Sequence, residues 1–322
     1  MKKIIKIGFT DFWGHFDPLD NFIINTLKER YDVILSESPD YLFFSVFGFD
    51  NLKYDCVKIM YVGENMTPDF NICDYAMAFD YIEFGDRYFR LPLYQVYPEF
   101  TRLINQPLMR DEELLGRKFC SIVVSNPKFA SPCRERFFRL LSEYKQVDSG
   151  GGMWNNVGGP VADKMLFISQ YKFNIAFENS SMLGYTTEKI MEAMAANTLP
   201  IYWGNELIAR DFNPTSFVNV NNFASLEDAV QYVVDLDTDD TKYLEVMRQS
   251  WVSDDSVFAW RERFLEFFEN IFDKPLENAK YLTPYGRQIL YRSEMLSCKT
   301  FAKKMRLNKL ERFYSKLRNL MS

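Results

Sequence analysis

The sequence predicts an α/β protein made of two Rossmann-like domains in tandem, facing each other across a cleft. Three observations carry that prediction. Apolar runs of strand length alternate with amphipathic helical patterns for most of the 322 residues, as in parallel sheets joined by right-handed crossovers. The alternation breaks once, at the polar stretch YPEFTRLINQPLMRDEELLGRK around residues 97 to 118, and then restarts. A composition 47% hydrophobic and 17% aromatic is ample for two cores and far from disorder.

In the first block, IIKIGF, DVILSE, YLFFSVF, KIMYVGE and YAMAF read as strands apolar enough to be covered on both faces. Between the first two, LDNFIINTLKERY sets Phe22, Ile23 and Leu27 against a charged side and reads as a helix. Beyond the polar crossing, FCSIVVSN is a strand and PCRERFFRLLSEY a helix with Pro132 near its start. QVDSGGG is a flexible turn, and ADKMLFISQ a short helix. FNIAFE, TTEKIMEAMAAN and LPIYWG follow as strand, helix and strand, then SFVNVNNF and LEDAVQYVVDL as strand and helix. The expected domains are 1–115 and 116–285, with the last helices crossing back to the first domain, and 286–322 forms a basic tail. Ligands of open α/β sheets sit at the carboxyl ends of the strands, so the candidate site is sought there.

Composition narrows the chemistry. No apolar run approaches the roughly 18 residues of a membrane span, and the MKKIIKIGFT start reads as a first strand, so a cytosolic protein is expected. The five cysteines form no CxxC pair and His15 is the single histidine, which argues against a zinc site. Acid–base work therefore falls to carboxylates or to His15 alone. The net charge of -6 argues against a general nucleic-acid binder.

The stretch FNIAFENSSMLGYTTEKIMEAM, residues 173 to 194, concentrates the candidate chemistry. The strand should deliver Glu178 and Asn179 to its carboxyl end, and Thr186 or Thr187 can cap the following helix through a hydroxyl. The helix start offers free N–H groups and a positive dipole end, and Lys189 in its first turn makes an anion site suited to phosphates. Glu188 can accept from vicinal hydroxyls such as a ribose diol, so the pair describes a nucleotide-sugar site. Glu-Lys at a helix start serves equally as an ordinary solvated pair.

The stretch SQYKFNIAFENSSMLGYTTEKIMEAMAANTLPIYWGNELIARDFNPTSFVNVNNF resembles the signature region of the α1,3-fucosyltransferase family, glycosyltransferase family 10, and above all its bacterial members. The blocks FEN…GYTTEK and PIYWG…DFNP.SFVNV carry the resemblance. YVGENMTPDFNICDYAMAFD, DRYFRLPLY, SIVVSNP and the arginine of PCRERFF match more weakly, so the likeness spans roughly residues 61 to 223. It implies a two-domain GT-B fold with GDP-fucose as donor, no required cofactor, and inversion at the anomeric carbon in one displacement. The implied reaction is Lewis-type fucosylation of the GlcNAc 3-hydroxyl in Galβ1,4GlcNAc units of surface polysaccharide or lipopolysaccharide. An α1,4 transfer, a GT-B transferase of another nucleotide sugar, or an idle glycan-binding module are the alternatives. By the same resemblance Lys189 and Arg134 contact the diphosphate, and Glu188 faces the ribose. Asn179 and Tyr185 belong to the donor pocket, and Glu64 of YVGEN is the general base.

Other features bear on the same reading. Trp13 and His15, after the first strand, are candidates for the acceptor side, where an aromatic can stack on a sugar and His15 assist the base; a packed loop is the alternative. DLDTDD at 235 to 240 holds two overlapping DxD triplets but reads as a polar helix exit rather than a metal site. SGGGMWNNVGG lacks the P-loop pattern and reads as a mobile loop outside the site. From Lys299 onward the tail has eight basic residues against Glu311, with Leu307, Leu310, Tyr314, Leu317 and Met321 on one helical stripe. A helix of this kind binds an anionic membrane surface, here the inner face, or packs on the protein.

Overall fold

The computed structural model describes residues 2–107, 109–125 and 130–304. It divides into two compact units: residues 1–78, 83–89 and 264 onward, and residues 79–82 and 90–263.

The first unit contains β1 (Lys3–Thr10), α1 (Phe22–Leu27), β2 (Tyr31–Leu35), β3 (Tyr41–Phe44), β4 (Val57–Tyr61) and β5 (Tyr75–Ala78), and reaches β6 (Tyr88–Arg90). Among the described residues these strands form one sheet in the order β2-β1-β3-β4-β5-β6, with β1 to β5 parallel. Every residue of β3, β4 and β5 is buried, which is why these runs show no polar alternation. The order reverses at β1, so the carboxyl ends of β1 and β3 form a topological switch point. Asp11, in the left-handed region at φ 59°, accepts there from the backbone N of Asp50 (2.9 Å) and of Asn51 (2.8 Å). This carboxylate ties the loop after β3 to the loop after β1. It also requires Gly48, where a Cβ would lie 2.1 Å from Asp11 Oδ1.

The second unit continues with α2 (Asp111–Leu115), β7 (Lys118–Ile122), α3 (Cys133–Tyr144), β8 (Val147–Ser149), α4 (Lys164–Ile168), β9 (Tyr171–Phe177) and α5 (Glu188–Ala195). It ends with β10 (Leu199–Trp203), β11 (Val218–Asn219), α6 (Leu226–Thr238) and α7 (Asp240–Met247). The strands run in the order β11-β10-β9-β7-β8, all pairings parallel. The reversal falls at β7, so the second switch point lies at the carboxyl ends of β7 and β9.

Three helices close the described chain: α8 (Trp260–Phe272), α9 (Leu276–Ala279) and α10 (Arg287–Lys304). The second half of α8 belongs to the first unit, where it contributes a row of phenylalanines. Phe267 stacks on Phe89 at 5.5 Å, Phe268 lies 5.5 Å from Phe43, and Phe272 lies 4.5 Å from Tyr41. Each such ring, fully buried, contributes about 1.5–3 kcal/mol. Among the described residues no helix is long and apolar enough to cross a membrane.

Both blocks are parallel α/β units, as expected, and residues from 264 onward group with the first unit. The division differs from the expected boundary at 115. The chain enters the second unit at residue 90, and the polar stretch 97–118 is part of it. Polarity misleads there because Phe100 and Leu103 are buried within it. Gln106 is also held, donating to Met194 O at 2.7 Å and accepting from Trp251 Nε1 at 2.7 Å. The loop SGGGMWNNVGG is braced by bonds within itself and to its flanks. Asn156 Oδ1 accepts from Ser149 N and Asn155 Oδ1 from Gly159 N, both at 2.7 Å, and Trp154 stacks on Phe138 at 5.1 Å. DLDTDD spans the end of α6 and the start of α7, and its buried Asp237 accepts from Lys145 (3.1 Å) and Lys172 (3.3 Å). α10 covers the first residues of the basic tail, and the stripe from Leu307 to Met321 lies outside the described residues.

Removing a ring from the α8 row leaves a cavity that the rigid sheet cannot fill. Phe268→Ala is expected to destabilise the protein by about 3–5 kcal/mol, while Glu266→Ala on the exposed face stays within about 0.5 kcal/mol. Urea unfolding followed by circular dichroism reads both, and equal midpoints for the two variants would contradict the packing described.

Candidate functional site

At the second switch point an apolar strand ends in a carboxylate. β9 is buried throughout, and Glu178, its next residue, is fully buried. A carboxylate in such a place is costly unless each oxygen is satisfied. Oε1 accepts from Thr187 N at 2.7 Å, and Oε2 from Thr187 Oγ1 at 2.7 Å and Lys189 Nζ at 3.2 Å. Lys189 Nζ also donates to Thr187 Oγ1 at 2.7 Å and lies 3.5 Å from Glu188 Oε1. Thr187 holds the N-cap position of α5, yet its hydroxyl is spent on Glu178, so no side chain caps the helix. Neither candidate threonine therefore caps α5 through its hydroxyl, and its first N–H groups keep their positive end.

Arg134, in the first turn of α3, is only 2% exposed. Its Nη2 donates to Phe177 O and Asn179 Oδ1, both at 2.8 Å, and Asn179 O accepts from Ser131 N at 2.7 Å. These bonds hold the start of α3 against the end of β9. Arg134 Nε is buried without an acceptor among the described residues, so the guanidinium keeps an unspent donor. Burial pulls the Arg134 pKa down while Glu178 opposes the shift. Burial also pulls down on Lys189, but Glu178 and Glu188 outweigh it and its pKa rises. For Glu188 burial pushes up, Lys189 and Lys164 push down, and the net direction is down. Both members of the Glu188–Lys189 pair are thus held charged.

The loop between β9 and α5 is itself braced. Gly184, at φ 86°, donates its N–H to Asn205 Oδ1 at 2.7 Å, and a Cβ there would lie 2.5 Å from Phe79 O. Tyr185 is buried, its ring 5.1 Å from Phe79 in an edge contact. Residues 79–82 are fixed in turn by a group that the sequence reasoning missed. Arg90 pairs with buried Asp211 through two bonds, 2.8 and 2.9 Å, donates Nε to Phe79 O at 3.0 Å, and covers the Tyr81 ring at 3.9 Å. The available signal was an aspartate in DFNP and an arginine inside the apolar run YFRLPLY.

The remaining candidates belong to the first unit. Glu64 lies three residues beyond β4 and is exposed. The strand KIMYVGE stops at Tyr61, though Val62 N still donates to Met77 O at 2.9 Å. Trp13, 42% exposed, and exposed His15 follow β1. Trp13 packs in part within this loop region, edge-on to Phe16 at 5.3 Å and to Phe47 at 6.3 Å, and keeps an exposed face. Because β1, β3 and β4 are parallel neighbours, Glu64, Trp13 and His15 share one edge of that sheet. Arg134, Asn179, Tyr185, Glu188 and Lys189 share the switch point of the other. One assembly suits an anion with hydroxyls, and the other offers a solvent-facing carboxylate near aromatic surface. Among the described residues no cluster of His, Cys, Asp or Glu is arranged to hold a metal.

Comparison with known proteins agrees with this geometry. Residues 7–97 match the family model of the alpha-(1,3)-fucosyltransferase FucT N-terminal domain, and residues 116–272 that of the glycosyltransferase family 10 (fucosyltransferase) C-terminal domain. The chain is 31% identical to alpha-(1,3)-fucosyltransferase FucT of Helicobacter pylori over 325 residues, covering 84% of this chain and 66% of that protein. It is 34% identical over 142 residues to 4-galactosyl-N-acetylglucosaminide 3-alpha-L-fucosyltransferase FUT5 of Gorilla gorilla gorilla, covering 43% of this chain and 34% of the other. Among solved structures, an alpha1,3-fucosyltransferase with GDP-fucose superposes at a TM-score of 0.72 with 30% identity, covering 85% of this chain and 92% of that one. An alpha1,3-fucosyltransferase with GDP superposes at a TM-score of 0.73, also with 30% identity, covering 88% of this chain and 94% of that one. The chain thus spans just under two thirds of the length of the bacterial relative and about a third of the ape protein.

The charge cluster makes stability depend on pH in a defined sense. A carboxyl whose folded pKa is depressed contributes stability above its ordinary value, 4.5 for Glu188, and that contribution is lost as pH falls through the folded value. Glu188→Gln is expected to flatten the acid limb of the stability profile below pH 4.5, losing stability in the neutral region and converging with the wild type in acid. Lys189→Met strips Glu178 of its cation and is expected to cost about 3–5 kcal/mol, part of which returns when Glu178→Gln is added. Denaturant titrations at stepped pH values check both, and an unchanged acid limb in Glu188→Gln would contradict the first.

Proposed function

The chain belongs to the glycosyltransferase family 10 fucosyltransferases, and from that premise we propose that it transfers L-fucose from GDP-fucose to a glycan hydroxyl, the GlcNAc 3-hydroxyl of Galβ1,4GlcNAc units. The observation that carries the reading is Lys189, held charged beside the uncapped start of α5 at the second switch point. The GDP-fucose bound to a similar solved fucosyltransferase supports that donor, and the α1,3 activity for which the bacterial and ape relatives are named supports that linkage.

In the proposed reaction the acceptor oxygen attacks the anomeric carbon of fucose from the face opposite the β-linked diphosphate. The new C–O bond forms as the bond to the phosphate oxygen breaks, giving an α-linked product. The acceptor proton passes to Glu64, whose exposed carboxylate can meet a hydroxyl from solvent. The bonding electron pair leaves on the β-phosphate, where Lys189, Arg134 and the first N–H groups of α5 stabilise the growing charge. Arg134 Nε is the donor not yet spent within the protein. Glu188 accepts from the ribose hydroxyls, and Asn179 and Tyr185 line the donor pocket. Trp13 and His15 receive the acceptor sugar, Trp13 as a stacking face. With these cations supplying the positive charge, the reaction needs no resident metal or cofactor. The acceptors are Lewis-type surface polysaccharide or lipopolysaccharide glycans, and the basic tail holds the enzyme at the inner membrane face.

An assay of GDP release from GDP-fucose, with and without N-acetyllactosamine, tests donor and acceptor together. Acceptor-dependent release with an α1,3-linked product is expected. An α1,4 product on Galβ1,3GlcNAc would move the acceptor reading, and release from UDP-sugars alone would end the donor reading. Glu64→Gln is expected to lower turnover by about 10²–10⁴-fold with donor affinity unchanged within about twofold. A comparable loss in both would remove Glu64 as the base. Lys189→Ala should weaken GDP binding by roughly tenfold or more, measured by titration calorimetry.

A further inference from the structure

Beyond that reaction, we propose that the amino-terminal edge of the first unit's sheet is a binding site for a phosphate group carried on an apolar chain. The observation that starts the argument is Lys58, the second residue of β4. It is 4% exposed, and its backbone N donates to Asp74 Oδ2 at 2.7 Å, but its Nζ has no hydrogen bond or ion pair among the described residues. An ammonium at the end of a largely buried side chain, without a direct partner, is costly unless the groove it faces supplies one. Burial pulls its pKa down and nearby Arg292 adds to the effect, while Cys56, Asp74 and Asp55 oppose it.

Lys58 lines a groove of about 500 Å³ formed by residues 52–58 and by the chain from Lys280 to Leu296. Three further cations line it. Lys53 pairs with Asp50 and Lys280 with Asp55, so these two are neutralised. Arg292, on α10, donates to Thr283 O at 2.6 Å and Asn71 O at 3.4 Å and meets no carboxylate among the described residues. The nearest buried acid, Asp74, cannot serve them: Oδ2 is taken by Lys58 N, and Oδ1 accepts from Tyr281 N (2.6 Å) and Leu282 N (2.7 Å). Lys58 and Arg292 thus have no direct ion pair among the described residues, with Asp55 and Asp74 acting on them only from a distance, and the groove can take an anion from outside. A phosphate fits, since its oxygens can accept from an ammonium and a guanidinium together.

The groove's other wall is apolar. Leu52, Leu282, Ile289 and Leu296 line it, and α10 also presents Leu290 and Phe301 (59% exposed) to solvent. A free polyanion would leave that wall unused, whereas an amphiphile covers it and places its phosphate over Lys58. The site is separate from the switch point. Lys58 sits at the amino end of β4, roughly 10 Å along the strand from Tyr61 at its carboxyl end.

Cys56 lines the same groove and is half-buried, which gives a local probe. With the full chain at constant ionic strength, the alkylation rate of Cys56 by N-ethylmaleimide is followed by peptide mass spectrometry. Dihexanoyl phosphatidic acid, inorganic phosphate and octyl glucoside are titrated in turn. Phosphatidic acid is expected to protect Cys56, with an apparent Kd that rises about tenfold or more in Lys58→Met and in Arg292→Gln. Lys58→Met removes an unpaired buried charge and should fold; Arg292→Gln keeps the test open if it does not. Protection by inorganic phosphate as well would assign the site to free phosphate, and protection by the amphiphile alone to a lipid headgroup. No protection, equal protection by octyl glucoside, or equal Kd in wild type and both variants would overturn the proposal.

Discussion

The arrangement at the second switch point depends on the burial of one carboxylate, Glu178, at the end of an apolar strand. Left alone there, it would cost several kcal/mol or take up a proton. Its two oxygens instead recruit the backbone N–H and hydroxyl of Thr187 and the ammonium of Lys189. The end of β9 is thereby coupled to the start of α5, and the direction of Lys189 is set before any ligand arrives. The same demand explains Gly204, at φ 155°, where a Cβ would stand 2.6 Å from Glu178 Cγ.

The two units use carboxylates differently at equivalent places. In each, the first strand lies between the second and third, so the loops after those strands meet at a switch point. In the first unit Asp11 serves as the brace, accepting backbone N–H groups from the loop after β3. Glu64, after β4, is exposed. In the second unit the bracing acid is Glu178, fully buried, and its structural task leaves it unsuited to proton transfer. Exposure rather than residue type separates the candidate base from the structural acid.

The strands and the helices that joined them were legible in the sequence because hydrophobic period is a local property. β9, with FNIAFE written in one apolar run, and α5, with its amphipathic face, needed no tertiary information. The crossing between units was not legible, because Phe100 and Leu103 are buried by contacts that their polar neighbours conceal. Lys189, Glu188, Asn179 and Arg134 were named as candidates and do share one switch point, but the bonds that hold them were not legible. Nothing local to FEN says that Glu178 turns back nine residues to Thr187, since the Gly184 turn closes through Asn205, a residue far along the chain. The Arg90–Asp211 pair was hidden for the same reason: its members are 121 positions apart.

Charge balance connects the architecture to the proposed reaction. Glu178 and Glu188 oppose Lys189 and Arg134, so the cluster carries two charges of each sign and is neutral before a ligand enters. Cations held in this way are already oriented, and little of the transition-state stabilisation is lost to rearrangement. In the proposed reaction the diphosphate would share Lys189 with Glu178 and Glu188, which would limit how tightly it is held. A cluster of bare cations would grip GDP more strongly in the ground state, at the expense of release. In the proposed reaction, Glu178 and Glu188 would keep Lys189 in place while negative charge grows on the leaving oxygen beside it. An interaction of that kind would be strongest where charge is developing, which is the condition for accelerating the step rather than merely binding its substrate.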